Sequence, residues 1–399
     1  MIQEQLTTKI MNEYDVIVCG GGIAGIAAAL AAARLGKKVA LMERLFMLGG
    51  LATAGLVTIY LPLCDGYGHQ VSFGIAEELL RLSIKHGYEC RYPANWLDNH
   101  GTKTGTDPRF EIQYNAQVFA ILAEQLLIET GVDILYGTYV TAVHKKNDKI
   151  DCIIVENKSG RTAYRAKSFV DATGDCDIAK FADAPTATFQ QGNVLAAWYY
   201  FSNTNGYELQ MLGYSDIPEE EKIKRKLNVP YLSTTRYTGL DGEEISNFMI
   251  NSHASTLNDF LKKREQNSTV WPVTISTIPQ LRMTRKIVGE YELSDKEMHT
   301  EFADSIGMVA NWRKRGPIYE VPFRTLYNKS VRNLIVAGRC TSVNEPLWDI
   351  MRVIPCCAVT GEAAGTAAAM SDDFARLNVQ ELQNELVKNG VVLHLKDIF

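Results

Sequence analysis

Apolar runs separated by glycines predict a strand–loop–helix–strand unit at the start of the chain. Residues 14–20 (YDVIVCG) form the β-branched run that is typical of a buried parallel strand. The Ala-rich segment 26–35 predicts a helix, and Gly36 is the kind of residue at which helices end. A second apolar run, KVALMER at 38–44, completes a βαβ unit.

The next part of the chain predicts a helix followed by a β-meander. Residues 112–130 show helical spacing, with Val118, Leu122 and Leu126 as the expected buried row. Several extended runs follow, joined by short polar turns, which is the pattern of a meander. These runs are 132–143, 151–157 and 161–166, and a further apolar strand is expected at 166–174.

The two ends of the chain share an α/β pattern that the middle lacks. NLIVAGR at 333–339 predicts another buried strand, and residues 355–370 predict a helix rich in small residues. The middle mixes aromatic and polar residues, and its charged segment 218–227 predicts a solvated helix. We therefore predict an α/β fold, in which a Rossmann-like nucleotide-binding domain carries an inserted α+β substrate domain. The expected borders are 1–55, 112–180 and 330–399 for the first domain, and 56–111 and 181–329 for the substrate or cap domain.

Length, charge and cysteine content narrow the class of protein. At about 150 residues per domain, 399 residues allow two or three domains. The 41 basic and 46 acidic residues give a net charge of −5, which argues against a protein whose main function is to bind nucleic acid or an anionic membrane. The eight cysteines form no C-x-x-C pair, which favours reduced thiols in the cytoplasm and disfavours iron–sulfur clusters. With no secretory signal and no apolar segment of bilayer length, we expect a cytoplasmic protein.

The first loop carries a dinucleotide-binding fingerprint. Gly20, Gly22 and Gly25 form G-x-G-x-x-G between a predicted strand and a predicted helix. The first glycine allows the tight turn, the second lets backbone N–H groups approach a pyrophosphate, and the third lets the helix pack on the strand. Glu43 ends the second strand near the spacing of about 20 residues expected for a carboxylate on the adenosine ribose. The alternatives are a chance glycine loop and a surface glutamate at a strand end.

Further motifs carry a resemblance to a known family. After Glu43 the chain reads ERLFMLGGLATAGLV, and it continues with RFEIQYN, VDATGDCDIA, LRMTRKIVGEYELS, VPFRTL, NLIVAGRC and RVIPCCAVTGEAAGTAAA. In this order, and over nearly its whole length, the chain resembles the FAD-dependent oxidoreductases of the glutathione-reductase-like class. More narrowly, it is similar to the group related to the flavoprotein core of heterodisulfide reductase. The resemblance implies that FAD is the cofactor.

The resemblance implies a role at FAD for each matching position. The three fingerprint glycines would hold the pyrophosphate, Glu43 the adenosine ribose, and the backbone of Val140 the adenine. The other implied contacts are with the adenine side and phosphates (Arg44, Gly49, Gly50 and the adjacent Leu51), the turn beneath the dinucleotide (Ala172, Thr173, Gly174), the ribityl chain (Gly338, Arg339) and the flavin pyrimidine edge (Arg352, Val353, Ile354).

The last long helix suits this assignment on physical grounds. Reduced flavin carries negative charge near N1 and O2, and a helix N-terminus stabilises an anion. Gly361 and Gly365, four residues apart, would let this helix approach another closely. The chain departs from the family at Cys176, where the family usually carries Gly. This residue does not put FAD binding in doubt, but the conformation of the local turn can differ from that of the family.

Candidate catalytic residues are less sharply defined. Arg282 and Arg285 match a paired-arginine motif of the family, and either can hold a substrate carboxylate or pair with a buried acid. Arg324 has the same two interpretations. His69 can act as an acid or base, form a hydrogen bond within its loop, or anchor the flavin covalently. The pair Cys356–Cys357 is either a reactive thiol at a helix start or simple packing, which we favour.

These observations predict an FAD enzyme that transfers a hydride between a small organic substrate and flavin N5. Only one glycine fingerprint is present, so a substrate, a redox partner or a transient nicotinamide would reduce the flavin. The alternative is a flavoprotein electron-transfer subunit that works with a redox partner protein. An RNA-modifying flavoprotein is less favoured, because the chain is acidic and lacks a basic, aromatic-interleaved stretch. A fourth interpretation is a domain that binds a nucleotide without catalysing a reaction. We expect no nucleic acid, membrane or metal as a partner.

Overall fold

The computed structural model describes residue 2 and residues 5–86, 111–213 and 231–399. The strands are β1 (Lys9–Cys19), β2 (Val39–Met42), β3 (Ile59–Tyr60), β4 (Ile112–Gln113), β5 (Asp133–Leu135), β6 (Tyr139–Lys146), β7 (Lys149–Asn157), β8 (Gly160–Asp171), β9 (Thr186–Thr188), β10 (Ala197–Asn203), β11 (Gly206–Leu212), β12 (Trp271–Ile275), β13 (Arg285–Ile287), β14 (Ser305–Ala310), β15 (Ile318–Pro322) and β16 (Leu334–Val336). The helices are α1 (Ile23–Arg34), α2 (Ile75–Ile84), α3 (Ala116–Glu129), α4 (Asp177–Phe181), α5 (Gly242–Gln266), α6 (Glu345–Met351), α7 (Ile354–Met370) and α8 (Val379–Lys388).

The predicted βαβ unit is confirmed. β1 and β2 pair in parallel, with Val16 opposite Val39 and Cys19 opposite Met42. α1 connects them and is buried along almost its whole length. Its many alanines suit this position, because a small side chain fits on every side of a closely packed helix. Gly36 follows the helix at φ = +73°, a conformation that glycine adopts without strain.

The largest sheet combines a parallel part with an antiparallel meander. Its strand order is β5-β2-β1-β8-β7-β6, and β16 also pairs with β8. The pairs β5–β2, β2–β1, β1–β8 and β8–β16 are parallel, whereas β8–β7 and β7–β6 are antiparallel. This arrangement brings the carboxyl ends of β1, β2, β8 and β16 to one edge of the sheet. The predicted parallel sheet and β-meander are both present.

The expected separate strands at 161–166 and 166–174 are one strand, β8. Its pairing with β1 extends from Thr162 to Asp171, with one register shift between Ile10 and Glu13 of β1. On its other side β8 changes partner, from β7 over Gly160–Arg165 to β16 over Phe169–Asp171. The prediction of two strands was wrong. The sequence becomes more apolar near residue 166 because the strand exchanges β7 for β16 as its neighbour, and not because the chain turns.

The packing face of α3 also differs from the expected one. Its buried residues include Phe119, Ala123 and Leu127, whereas Val118, Leu122 and Leu126 are only partly buried. The helix is confirmed over Ala116–Glu129, whereas Ile112–Gln113 form strand β4, and the buried row of the helix lies one residue further along the chain. Both rows are apolar, so tertiary packing and not the sequence pattern selects between them.

The described residues form two compact units. The first lies within Met1–Gly50, Ile59–Ala187 and Arg285–Phe399, and the second comprises Leu51–Thr58 and the described part of Thr188–Thr284. These borders differ from the expected ones, since residues 59–86 and 285–329 pack with the first unit. The predicted helix at 218–227 lies outside the described residues.

The second unit is a small α+β assembly. Its sheet has the order β11-β10-β12 and is antiparallel. Phe248 of α5 packs with Leu195, Tyr237 and Leu281 in its core. The segment 51–58 joins this unit because Thr277 donates its backbone N–H to the carbonyl oxygen of Ala54 at 3.0 Å. A role as substrate domain stays a prediction.

No single helix of the described residues is long and apolar enough to cross a membrane. Within the same residues, only α6 and α7 taken together reach the required length and composition, and these two helices meet at an 89° bend.

Candidate cofactor and active site

The first and third glycines of the fingerprint leave no room for a side chain. Gly20 has φ = +100°, and a Cβ on it would lie 2.5 Å from the carbonyl oxygen of Ala172. A Cβ on Gly25 would lie 1.8 Å from the carbonyl oxygen of Gly20. At Gly22, however, an added Cβ would meet no heavy atom of the protein within 4 Å. The loop is therefore open at Gly22, where the N-terminus of α1 presents backbone N–H groups.

Glu43 connects this loop to the end of β2. One carboxylate oxygen accepts a hydrogen bond from the backbone N–H of Gly21 at 2.6 Å, and the other accepts from Leu45 at 2.8 Å. The side chain is buried. Each carboxylate oxygen has capacity for a second hydrogen bond, so a ribose hydroxyl can still be accepted. The sequence pattern indicated the ribose role but not the role of Glu43 in holding the glycine loop.

The double glycine runs along the same loop. Gly49 donates its N–H to the carbonyl oxygen of Gly21 at 2.8 Å and forms a parallel bridge with Gly22. Gly49 and Gly50 have φ values of +100° and +56°, and a Cβ on Gly50 would approach Cα of Gly22 to 3.3 Å. The double glycine therefore passes directly beside Gly21 and Gly22 of the fingerprint. Arg44 is exposed, and Leu51 belongs to the second unit.

Val140 lies on the strand that follows a turn bound to Glu43. The backbone N–H of Thr138 donates to the carbonyl oxygen of Glu43 at 3.0 Å. Val140 pairs with Val155, and the register shifts directly after it. The structure therefore brings Val140 near the end of β2, although these positions are far apart in sequence.

The A-T-G turn is built on a buried carboxylate that the motif analysis missed. Asp171 is fully buried at the end of β8, where it accepts from the Thr173 hydroxyl at 2.7 Å and from the N–H of Ala179 at 3.0 Å. Burial raises the pKa of Asp171, and these hydrogen bonds oppose the rise. The N–H of Ala172 donates to the carbonyl oxygen of Cys19 at 2.9 Å. In the sequence, Asp171 directly precedes the A-T-G motif, and an acidic residue at the end of an apolar strand could have indicated this role.

Gly174 and Arg339 are brought into direct contact. Gly174 has φ = +81°, and a Cβ on it would lie 2.3 Å from a terminal nitrogen of the Arg339 guanidinium. Arg339 donates to the carbonyl oxygen of Gly174 at 3.2 Å and to Asp175 at 3.3 Å. Gly338, at φ = +68°, donates its N–H to the hydroxyl of Thr360 at 2.9 Å. The two motifs that were assigned to the same ligand are therefore neighbours in space.

Cys176 adopts the conformation that explains glycine in related sequences. Its φ is +57°, in the left-handed region that favours glycine. Its backbone N–H donates to Sγ of Cys340 at 3.1 Å, and both thiols are buried. The backbone at this position thus has a conformation that favours glycine, and in this chain a cysteine adopts it.

The segment before α7 is fixed by a buried ion-pair cluster. Arg352 contacts Asp349 at 3.0 Å through Nε, and Arg313 forms a short contact with the other carboxylate oxygen. Burial acts to raise the pKa of Asp349, but the two guanidinium groups outweigh burial and hold the pKa below its ordinary value. Val353 is the N-cap of α7 and Ile354 its first residue. The side chain of Arg352 is thus engaged by the protein.

The three candidate arginines have different surroundings. Arg324 donates twice to Asp304, at 2.9 and 3.2 Å, and Arg285 lies 3.5 Å from Asp177. Burial and the neighbouring acids raise the pKa of Asp177 to about 7, against the charge of Arg285. In the second unit, the guanidinium of buried Arg282 lies 4.9 Å from the ring centroid of Trp198. The carboxylate partners of Arg285 and Arg324 favour structural roles for these two residues.

His69 is held inside its own loop. Its Nδ1 lies 2.9 Å from a carboxylate oxygen of Asp65, and its ring packs edge-on against Phe399. The side chain is 44% exposed. This arrangement matches the interpretation of a hydrogen-bonded loop residue, and a role in catalysis stays a prediction.

Cys356 and Cys357 lie in the first turn of α7 and are buried. Their thiols contact the carbonyl oxygens of Ile350 and Arg352, both at 3.3 Å. Burial raises the pKa of Cys357 to about 12 and that of Cys356 well above its usual value. The environment therefore favours packing over a reactive thiolate.

Among the described residues, His144, Asp151 and Cys152 bring three potential metal-ligand atoms within 4.8 Å of one another. Asp151 is already 2.8 Å from Lys146 and 3.3 Å from Arg165. These cations compete with a metal ion for the carboxylate, so we assign no metal to this cluster.

Comparison with known proteins gives a family match over most of the chain. The family model described as FAD dependent oxidoreductase matches residues 15–196 and 188–386. The solved structure of a geranylgeranyl bacteriochlorophyll reductase-like protein from Thermoplasma acidophilum aligns with a TM-score of 0.50 at 15% identity. That alignment covers 96% of this chain and 84% of the other, and it shows similarity of fold alone.

Two curated relatives match over shorter regions. The tRNA uridine 5-carboxymethylaminomethyl modification enzyme MnmG 1 of Fusobacterium nucleatum is 26% identical over 279 residues, which are 65% of this chain and 39% of that enzyme. A thioredoxin reductase of Ureaplasma parvum is 34% identical over 82 residues, which are 20% of this chain and 26% of that protein. The chain thus spans well under two thirds of either relative.

Proposed function

Because the chain belongs to the family of FAD-dependent oxidoreductases, we propose that it transfers a hydride between a small organic substrate and N5 of its flavin. FAD, when bound, supplies the two-electron acceptor or donor. The observation that carries the proposal is the loop around Gly22, which is open toward a ligand and closed toward the protein at Gly20 and Gly25. No described residue fills the space at Gly22, which is what a bound cofactor requires.

The residues around this loop fit the cofactor. We assign the pyrophosphate to the N–H groups at the start of α1, because a helix N-terminus favours an anion. Glu43 would accept the ribose hydroxyls with its remaining lone pairs, and the backbone at Val140 would meet the adenine. The buried Asp171 would act indirectly, by holding the A-T-G turn in place.

The protein would control the flavin ring through the start of α7. The backbone N–H groups near Val353 and Ile354 would stabilise the negative charge of the reduced pyrimidine edge. The Arg352 side chain would hold this segment and not contact the flavin, because it is already bound to Asp349. In this proposal the ion pair is a positioning device.

We assign recognition of the substrate to the second unit. Arg282 is a candidate for holding a substrate carboxylate, since it carries a positive charge and its Cζ lies over the Trp198 ring, 4.9 Å from the ring centroid. Arg285, Arg324 and His69 are further candidates, and each of them contacts a carboxylate in the first unit. We also propose that the chain is related to the heterodisulfide reductase flavoprotein group and that it is located in the cytoplasm. The free, buried cysteines of the described chain support a reducing compartment.

Two other functions are supported by particular observations. An electron-transfer subunit would account for the single glycine fingerprint, since a protein partner would then supply or accept the electrons. An RNA-modifying role is supported by the 26% identity with the tRNA uridine-modifying enzyme over 65% of the chain. The net charge of −5 argues against RNA binding by this chain alone.

The experiment that tests the proposal is anaerobic titration of the FAD-loaded protein. Flavin absorbance at about 450 nm would be followed while small alcohols, amines, carboxylic acids, NADH and NADPH are added separately. We expect one class of small substrate to bleach the flavin. Reduction by dithionite alone would favour the electron-transfer role, and protein that takes up no FAD would overturn the cofactor assignment.

A further inference from the structure

Helix α5 exposes a continuous apolar stripe. Ile250, Leu257 and Leu261 are 64%, 55% and 47% exposed, and the exposed Ala254 lies between them. The spacing of these four positions is four, three and four residues, so all of them lie on one side of the helix. α5 is 25 residues long, or about 37 Å at 1.5 Å per residue, and the stripe occupies its central part.

This stripe is not the face by which α5 packs in its own unit. The buried residues of the helix are Phe248, Ser252 and Thr256, on the opposite side. Ser252 donates a hydrogen bond to the carbonyl oxygen of Ala196 at 3.0 Å. The apolar side chains of the stripe are therefore additional to those that the fold of the unit requires.

The spacing matches the seam of a two-stranded coiled coil, in which apolar residues alternate at intervals of three and four. An antiparallel pair of identical helices can align the stripe with itself. In that register Ile250 of each copy meets Leu261 of the other, and Ala254 meets Leu257. Each layer then combines a small or branched side chain with a leucine, which is compatible with close packing.

The charges at the two ends of α5 select the antiparallel orientation. The first turn carries Glu243 and Glu244, and the end of the helix carries three basic residues beside one acid (Lys262, Lys263, Arg264 and Glu265). Parallel association would place acid beside acid and base beside base, whereas antiparallel association places each acidic end beside a basic end. The two helix dipoles are also opposed in this orientation, which is favourable.

We propose that a second copy of this chain docks on the stripe, forming a two-fold dimer through antiparallel α5 helices. The closed symmetry uses the same patch on both copies, so the interface is self-complementary. The inference is independent of the proposed reaction, because it concerns a face of α5 that carries none of the assigned cofactor residues.

Sedimentation of the FAD-loaded protein over a range of concentrations tests the dimer. We expect a monomer–dimer equilibrium, and we expect Leu257→Lys to raise the dissociation constant at least tenfold. The control is Ile128→Lys on α3, a position that is 60% exposed and outside the stripe. Retained FAD absorbance verifies that each variant is folded. A monomer at every concentration, or a dimer that Leu257→Lys leaves intact, would overturn the proposal.

Cysteine cross-linking tests the orientation. The double variant Ala254→Cys, Leu257→Cys places thiols in facing layers of the antiparallel register, and mild oxidation should yield a disulfide-linked dimer between positions 254 and 257. Peptide mass spectrometry identifies the linked pair, with the wild-type protein as the background. Links between position 257 and itself in the single variant Leu257→Cys, at equal or greater yield, would indicate parallel association and contradict the proposal.

Discussion

Gly365 of α7 lies directly against the backbone of Ala28 in α1. A Cβ on Gly365 would sit 2.1 Å from the carbonyl oxygen of Ala28. One turn earlier, a Cβ on Gly361 would sit 2.3 Å from the carbonyl oxygen of Ala24. The expectation that these glycines allow close helix approach is therefore confirmed. The contact matters for the site, because it joins the helix of the fingerprint loop to the helix assigned to the flavin edge.

Replacing Gly365 by Ala should destabilise the protein. The added methyl group cannot be accommodated without moving one helix, and overpacking of this kind costs about 1–3 kcal/mol. Urea unfolding of the two proteins measures the difference. Gly242→Ala is the matched control, because an added Cβ there meets no heavy atom within 4 Å. Equal losses of stability in both variants would contradict the role given to the helix contact.

Replacing Gly22 by Val should abolish FAD binding while the fold is kept. The position has an ordinary φ of −68°, and no heavy atom lies within 4 Å of an added Cβ, so we expect the valine side chain to project into the ligand space. We expect purified variant without flavin absorbance but with a urea midpoint close to that of the wild-type apoprotein. Full flavin content in Gly22→Val would show that the cofactor lies elsewhere.

Replacing Glu43 by Gln should weaken FAD binding by tenfold or more. The amide nitrogen cannot accept, so one of the hydrogen bonds from Gly21 and Leu45 is lost together with the negative charge. Hydrogen bonds to charged groups contribute about 1.5–3 kcal/mol. Fluorescence titration of apoprotein with FAD gives the affinity. The exposed Glu129→Gln variant serves as the control, and unchanged affinity in Glu43→Gln would remove Glu43 from the site.

Glu362 should make stability depend on pH. Burial raises the pKa of this carboxyl group to about 8 from 4.5, and its Oε2 accepts from the N–H of Ile75 at 2.8 Å. The folded state therefore binds the proton more tightly than the unfolded state, so this stabilisation is complete below about pH 4.5 and is lost as pH rises toward 8.

The variant Glu362→Gln removes this titration but keeps an acceptor for Ile75. Its free energy of unfolding should exceed that of the wild type by an amount that grows between pH 5 and pH 8. The gain reaches a few kcal/mol, since one pKa unit is worth about 1.4 kcal/mol. Urea unfolding at several pH values measures it. Parallel pH profiles for the two proteins would rule out a buried titrating Glu362.

Cys356 and Cys357 should resist alkylation in the folded protein. With a pKa of about 12, only about one Cys357 thiol in ten thousand is ionised at pH 8, and both side chains are buried. Iodoacetamide labelling followed by peptide mass spectrometry should find these residues unmodified in native protein and modified after unfolding. Rapid labelling under native conditions would instead support a reactive thiol at the start of α7.

The sequence alone determined the parts of this protein that local pattern controls. The strand–glycine–helix order around Gly20 and the carboxylate at Glu43 identified the nucleotide-binding unit, because those residue types are required within a short stretch of chain. The small residues of α7 likewise indicated a close helix contact. The family resemblance placed the remaining FAD motifs in order along the chain.

Tertiary structure decided which groups meet. The contact of Arg339 with Gly174 joins residues 165 positions apart, and the pairing of Arg324 with Asp304 joins residues 20 positions apart. The buried face of α3 was decided in the same way, because its two candidate rows are equally apolar. Local periodicity fixes which element forms, whereas the partner of each side chain depends on contacts between distant segments, which one sequence does not specify.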